Sequence, residues 1–233
     1  MLKRFLERKV KNQMQKNNDV KFEVLHLPPM NTNSVLVTCG GDCVIFDAWG
    51  RSSDWKRVLS ERGLKLRAIY STHGHPDHIS AAPGLARDLD VDWFLNANDN
   101  FYVGGEMANS FLDNFGIPHI SDDYKRPLNL QVGTIEILPG IEMQIMASPG
   151  HTPGGLMFYF PKYKVLLVGD TIFQDNVGRC DMPGGNDVDL FKSIHNLYDM
   201  NLDDDVYVVH GHGMETTIGW LKKNNPFFLS GKH

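Results

Sequence analysis

Cysteine is scarce in this chain: Cys39, Cys43 and Cys180 are the only three in 233 residues. So sparse and odd-numbered a set gives no disulfide framework, and stability must come from a packed core. Cys39 and Cys43 flank Gly40-Gly41-Asp42, a hairpin-turn signal. They either face one another across two strands or pack as small hydrophobes in a reducing cytosol, and packing is the expectation. Long apolar runs are also missing. None approaches the roughly 18–20 residues of a membrane span. The basic start, Met1 to Val10, lacks the uninterrupted apolar stretch of a secretory signal, and Glu7 and the lack of Ser there argue against an organelle-targeting helix. A cytoplasmic location is therefore expected. An excess of positive charge is absent too: the net charge of −5 argues against a nucleic-acid partner. No repeat, low-complexity tract or Pro/Gly/Ser-rich linker divides the chain. The expectation is an N-terminal extension over residues 1–19, a short and partly ordered helix, followed by a single domain over residues 20–233.

Apolar residues make up 42% and charged residues 22%, proportions of a globular protein with a substantial core. Alternating and β-branched runs predict strands at Val20–Leu27, Ser34–Cys39, Cys43–Ala48, Leu66–Ser71 and Asp92–Asn96. The second half predicts strands at Thr134–Leu138, Glu142–Ser148, Leu156–Phe160, Lys164–Val168 and Asp205–Val209. Helices are predicted at Ser53–Arg62, Ile79–Leu89, within Val103–Phe115, at Val188–Met200 and at Thr216–Asn224. Each half reads as strands first and then a strand–helix alternation. That order suits an α/β four-layer αββα sandwich, two sheets with helices on their outer faces, better than a doubly wound sheet.

The densest chemistry lies in His73-Gly-His75-Pro-Asp77-His78, directly after a predicted strand. Three imidazoles and a carboxylate within six positions are the donor set of zinc, iron or manganese. Asp77 can also serve acid–base chemistry beside a metal. Other candidates stand where predicted strands end: Asp47, His151 in Ser148-Pro-Gly-His-Thr-Pro-Gly154, Asp170 in Gly169-Asp-Thr171, and His210 in Val208-Val-His-Gly-His-Gly213. Strand ends at one edge of a sandwich form a common floor on which loops converge. Singly, each reads equally as a turn residue or a satisfied polar side chain; it is their combination with the first cluster that points to a metal site.

With these residues in view the chain resembles the metallo-β-lactamase superfamily, and within it the type II glyoxalases, the hydroxyacylglutathione hydrolases. The matching elements are Thr72-His-Gly-His-Pro-Asp-His-Ile79, Pro149-Gly-His-Thr-Pro-Gly-Gly155, Gly169-Asp-Thr-Ile-Phe173, Gly178-Arg-Cys-Asp-Met-Pro-Gly-Gly185, His210-Gly-His-Gly-Met-Glu-Thr-Thr-Ile-Gly219 and Asn225-Pro-Phe227. The resemblance implies the metallo-β-lactamase fold and two divalent metal ions. One would be held by His73, His75 and His151 and the other by Asp77, His78 and His210, with Asp170 bridging. It implies Asp47 as a partner that orients a metal-binding His. It also implies hydrolysis of a thioester such as S-lactoylglutathione by a metal-bridging hydroxide, with Asp77 accepting a hydrogen bond from the nucleophile. The partner would be a small-molecule thioester, possibly glutathione-linked, and the protein a monomer or homodimer.

Arg179 falls where such enzymes place a basic residue that meets glutathione; bracing its own loop is the competing role. His212 is expected to face substrate or to support a ligand from behind. Asp47-Ala-Trp49 replaces the Asp-Pro-Gly of relatives, and the chain ends soon after Asn225-Pro-Phe, as in shorter forms without a basic C-terminal extension. Three other functions compete. A mononuclear-iron persulfide dioxygenase would use His75, His151 and Asp170. A lactone, β-lactam or phosphodiester hydrolase would use the same scaffold. A non-enzymatic metal-binding protein is disfavoured because the full donor set is present.

Overall fold

A computed structural model describes residues 20–120 and 124–229; the expected N-terminal extension lies outside these. β1 (Val20–Leu27), β2 (Thr32–Cys39), β3 (Asp42–Phe46), β4 (Lys65–Tyr70), β5 (Asp92–Leu95) and β6 (Leu128–Asn129) form the first sheet in that order. β7 (Gly133–Leu138), β8 (Ile141–Ala147), β9 (Leu156–Phe160), β10 (Val165–Gly169), β11 (Tyr207–His210) and β12 (Thr216–Thr217) form the second, also in chain order from one edge. Hairpins make β1–β3 and β7–β10 antiparallel, whereas β3–β6 and the β10–β11 pair are parallel. Helical crossovers explain the switch, because a parallel neighbour needs a connection long enough to return along the sheet.

Three apolar layers hold the sandwich together. Alternate residues of the two inner faces, among them Val35, Val37, Phe46, Tyr70, Ile145, Phe158 and Phe160, interlock between the sheets. Aromatic packing extends across that interface, with Phe46 5.3 Å from the ring of Phe158 and stacked on Tyr70. The opposite face of the first sheet, with Ile45, Ile69 and Trp93, is covered by α1 (Ser52–Glu61), α3 (Ala82–Asp88) and α4 (Gly105–Asp113). Leu166, Val168 and Val208 of the second sheet lie under α5 (Asp187–Asp199), α6 (Ile218–Asn224) and α7 (Pro226–Leu229). This is the αββα order read from the sequence.

The period-2 alternation settles the cysteines. Thr38 pairs with Cys43 and Cys39 with Asp42, so the two thiols point to opposite faces. Cys39 enters the layer between the sheets and Cys43 the layer beneath the helices. Both are buried and free.

The predicted helix Ile79–Leu89 is two pieces. Pro76 opens a short α2 (Pro76–Ile79) inside the His cluster, and α3 follows after a break. Pro at a first helical position lacks only an N–H that has no partner there anyway. Asp77 and His78 therefore stand on a helical turn rather than in a loop, facing the ends of the strands.

Candidate metal centre

Every segment that carries a candidate donor leaves the carboxyl end of a strand. Asp47 follows β3, Thr72 to His78 follow β4, and His151 follows β8. Asp170 follows β10, and β11 ends at His210. β3 and β4 run parallel, as do β10 and β11. The two sheets are joined at this edge where the N–H of Leu156, at the start of β9, donates to the Thr72 carbonyl at 2.8 Å.

Donor atoms collect there in three overlapping groups, each within 4.8 Å: His73, His75 and His151; His73, His78 and Asp170; Asp77, His78 and His212. Asp170 spans them, with Oδ1 3.5 Å from His78 Nε2 and Oδ2 3.5 Å from both His151 Nε2 and His212 Nε2. His212 Nε2 lies 3.1 Å from Asp77 Oδ2. Gly211 makes the close approach possible, since a Cβ there would stand 1.8 Å from Asp170 Oδ1.

The far nitrogen of most rings is fixed by a hydrogen bond. His78 Nδ1 donates to Asp47 Oδ2 at 3.0 Å. His73 Nδ1 donates to Thr72 Oγ1 at 3.0 Å, and that hydroxyl donates to Asp47 Oδ2 at 2.8 Å. Asp47 Oδ1 also accepts the Thr72 N–H at 2.7 Å. These bonds hold Asp47 in a left-handed conformation, φ 52°, that few residues other than Asn and Asp tolerate. Asp47 thus sits behind the rings of His73 and His78. His151 Nδ1 donates to the Arg179 carbonyl at 2.7 Å, and His212 Nδ1 to the Met30 carbonyl at 3.1 Å. With Nδ1 the donor, each neutral ring turns an Nε2 lone pair to the centre. His73, His75 and His151 Nε2 and Asp170 Oδ1 are buried and without hydrogen-bond partners. Buried polar atoms are rarely left so. Four on one spot, all metal-competent, fit a pair of divalent cations.

His210 does not join them. Its Nδ1 donates to the Ile172 carbonyl at 2.6 Å, and Nε2 accepts from the Thr216 hydroxyl at 3.1 Å. Both nitrogens are used and no lone pair remains, so His210 is not placed as expected and His212 stands where it was looked for. The strand period explains the exchange. His210 still belongs to β11 and points into the fold, while Gly211 turns the chain and brings His212 to the edge. Of the two roles weighed for Arg179, the structure shows the bracing contact. Its exposed guanidinium closes on Asp181 through bonds of 2.6 and 2.7 Å, and it is the backbone carbonyl that serves the cluster. Trp49 is buried against Phe111 and Phe115.

Two supports escaped the sequence reading. Asp99 is fully buried and ties the two His loops together: it accepts from Gly74 N at 2.8 Å, Thr152 Oγ1 at 2.7 Å and Gly154 N at 2.6 Å. Asn33 holds the loop bearing His212, through its N–H to the Gly211 carbonyl at 2.7 Å and its Nδ2 to the His210 and Gly213 carbonyls at 2.9 Å. The one available signal for Asp99 was its place just after the end of β5, at the same edge as the donors.

Electrostatics mark the same spot. Burial pushes His73 well below the imidazole range and His75 down to about 4. Burial works against charge on His78 and His212 too, but the Asp77 and Asp170 carboxylates outweigh it, raising His78 and lifting His212 to about 11. Burial would raise both carboxyls, yet His78 and His212 hold Asp77 low and Asp170 well below its ordinary value. Two carboxylates in a buried site demand positive charge, which protonated imidazole or a bound cation can supply.

The family model of the metallo-beta-lactamase superfamily matches residues 27–212. The chain belongs to this superfamily. Among metallo-beta-lactamase relatives, the hydroxyacylglutathione hydrolase GloC of Haemophilus influenzae is 35% identical over 190 residues, covering 81% of this chain and 88% of that protein. Two solved structures cover nearly all of their own chains. The crystal structure of BLEG-1 B3 metallo-beta-lactamase has 29% identity and a TM-score of 0.79, over 89% of this chain and 99% of that one. TTHA1623 in a di-iron-bound form has 31% identity and a TM-score of 0.75, over 88% and 98%.

Proposed function

We propose that this protein is a cytoplasmic hydrolase that holds two divalent ions, zinc, iron or manganese, and cleaves a small-molecule thioester. The observation that carries the reading is the convergence of buried, unpartnered Nε2 and carboxylate atoms on one edge of the sandwich. His73, His75 and His151 would hold one ion and Asp77, His78 and His212 the other, with Asp170 shared. When bound, such a pair lowers the pKa of water and polarises a carbonyl oxygen.

The chain's own groups prepare that chemistry. Asp47 and Thr72 lock the tautomers of His73 and His78, and the carbonyls of Arg179 and Met30 lock His151 and His212. Asp77 is the carboxylate assigned to accept a hydrogen bond from the attacking water. In the overall reaction the water oxygen bonds to the acyl carbon, the C–S bond breaks, and the departing sulfur takes up the proton. No cysteine nucleophile is needed, and burial raises the Cys180 thiol pKa, against an activated thiolate. The name of the Haemophilus relative supports a thioester, and the free buried thiols suit a reducing compartment. A single-iron persulfide dioxygenase would use His75, His151 and Asp170, and metal content with oxygen uptake on glutathione persulfide separates it from the hydrolase.

Elemental analysis and thioester hydrolysis on one purified sample test the proposal. About two metal ions per chain are expected, with hydrolysis of S-lactoylglutathione or an uncharged thioester lost on chelation and restored by zinc, iron or manganese. Full activity in metal-free protein would reject it. So would oxygen uptake with glutathione persulfide and no thioester hydrolysis.

A further inference from the structure

Three observations outside the donor set bear on what the site accepts. First, large apolar side chains stand exposed on both sides of the cluster. Phe101 is 53% exposed, and its ring lies 4.0 Å from that of Tyr102, which is itself edge-on to His75 at 4.7 Å. On the other side Met214 is 59% exposed two residues after His212, and the Phe173 ring lies 6.3 Å from that imidazole. Second, the aromatic side is a fixed wall. The Tyr102 hydroxyl donates to the Pro183 carbonyl, and a Cβ on Gly184 would stand 3.1 Å from the tip of Phe101. Third, Lys and Arg are scarce in the described segments around the donors. Segments 46–50, 72–78, 97–104, 147–155, 169–186 and 210–216 contain one Lys or Arg, Arg179, and it is closed on Asp181. Beyond the buried Asp47, Asp77, Asp99 and Asp170, the same segments add Asp175, Asp181, which Arg179 holds, and Glu215, whose Oε1 lies 3.3 Å from His26 Nε2.

The geometry points to an uncharged, apolar carrier on the thioester, received between Phe101 and Met214, in preference to glutathione. The inference rests on the thioester reading and refines it. Glutathione brings two carboxylates and one ammonium. Among the described residues of these segments its carboxylates would find no Lys or Arg free of a carboxylate partner, and drawing them out of water there is unfavourable. An apolar group laid on exposed Phe and Met removes both surfaces from water and leaves no charge unpaired. Arg179 would have to abandon a two-bond contact with Asp181 to serve as a glutathione contact.

The test uses the full-length, metal-loaded protein and lactoyl thioesters that differ only in the thiol: glutathione, N-acetylcysteamine and benzyl mercaptan. The expected kcat/KM rises in that order, with roughly tenfold between the extremes, the scale of one well-filled apolar contact. Phe101→Ala and Met214→Ala, both at exposed positions, should each remove most of that preference, while Arg179→Gln leaves the ratio between carriers unchanged. A preference for the glutathione thioester overturns the inference, as does a Phe101→Ala effect that is equal for all three thiols. If no thioester is hydrolysed with both ions bound, the proposed reaction itself fails. Calorimetric binding of hexyl thioethers then decides the carrier separately: tighter binding of the N-acetylcysteamine thioether sustains the apolar subsite, and tighter binding of S-hexylglutathione rejects it.

Discussion

The exchange of His210 and His212 makes two neighbouring alanine substitutions behave in opposite ways. His210→Ala removes a ring whose two nitrogens serve the Ile172 carbonyl at 2.6 Å and the Thr216 hydroxyl at 3.1 Å, both inside the fold. Each unsatisfied partner costs about 1–3 kcal/mol, and the space left behind adds a cavity term. The expected loss of folding stability is on the order of 3–5 kcal/mol, a large part of what a domain has, while the metal-facing atoms keep their places. His212→Ala removes a side chain still 24% exposed, whose Nε2 is one of the donors grouped with Asp77 and His78. Loss of a residue that merely supports a ligand lowers metal affinity about 10–100-fold, so loss of a donor should reach at least the upper end. Metal content after dialysis against a competing chelator and urea midpoints on the same samples separate the two. His212→Ala is expected to keep one ion and His210→Ala to keep both with a lowered midpoint. A His210→Ala protein that loses an ion, beside a His212→Ala protein that keeps both, would refute the assignment.

Three further substitutions probe the supports. Asp99→Ala strands the Gly74 and Gly154 N–H groups and the Thr152 hydroxyl, so thermal unfolding should report a loss on the order of 3–5 kcal/mol, with Asp99→Asn milder; an unchanged midpoint would deny its role as a tie. Gly211→Ala places a methyl 1.8 Å from Asp170 Oδ1, where carbon contacts need about 3.5 Å. The carboxylate must move by more than 1 Å, and a misplacement of that size costs about 100-fold in rate; wild-type turnover would contradict the packing. Asp47→Asn keeps the shape but weakens the bonds from His78 and Thr72, so competition titration should show affinity reduced about 10–100-fold.

The layer order was legible because it rests on periodicity. Alternation marked β1 to its boundaries, and the switch to helical spacing placed α1, α4 and α5 within a few residues. The histidine cluster was legible because its donors are consecutive in the chain. What sequence could not resolve was orientation at a strand end. His210 and His212 differ by two positions and look equivalent in a Gly-rich run, yet whether the strand stops before or after His210 decides which ring points inward. Asn33 and Asp99 were invisible for a related reason. Their partners, 178 and 55 positions away in the cases of Gly211 and Gly154, become neighbours only when the two sheets close, and neither residue carries a motif of its own.

The donor cluster also makes a demand on the fold as a whole. His73, His75 and His151 bring buried Nε2 atoms together with no proton donor to meet them, and Asp77 and Asp170 place two carboxylates beside them. Such an arrangement is unfavourable for a protein alone, since buried polar atoms without partners and like charges in close contact both destabilise. The elements that enforce it, the left-handed Asp47, the glycine at 211 and the buried Asp99, are drawn from both sheets. Cations bound there would relieve strain shared by the two halves of the sandwich, and their binding energy would become folding energy. An ion present at about 1,000 times its dissociation constant adds about 4 kcal/mol. Chelation should accordingly lower the unfolding midpoint cooperatively, in one transition, and zinc, iron or manganese should restore it in proportion to occupancy. A midpoint indifferent to chelator, in protein shown to have lost its metal, would mean that the cluster is satisfied in some other way and that the reading of its unpartnered atoms is wrong.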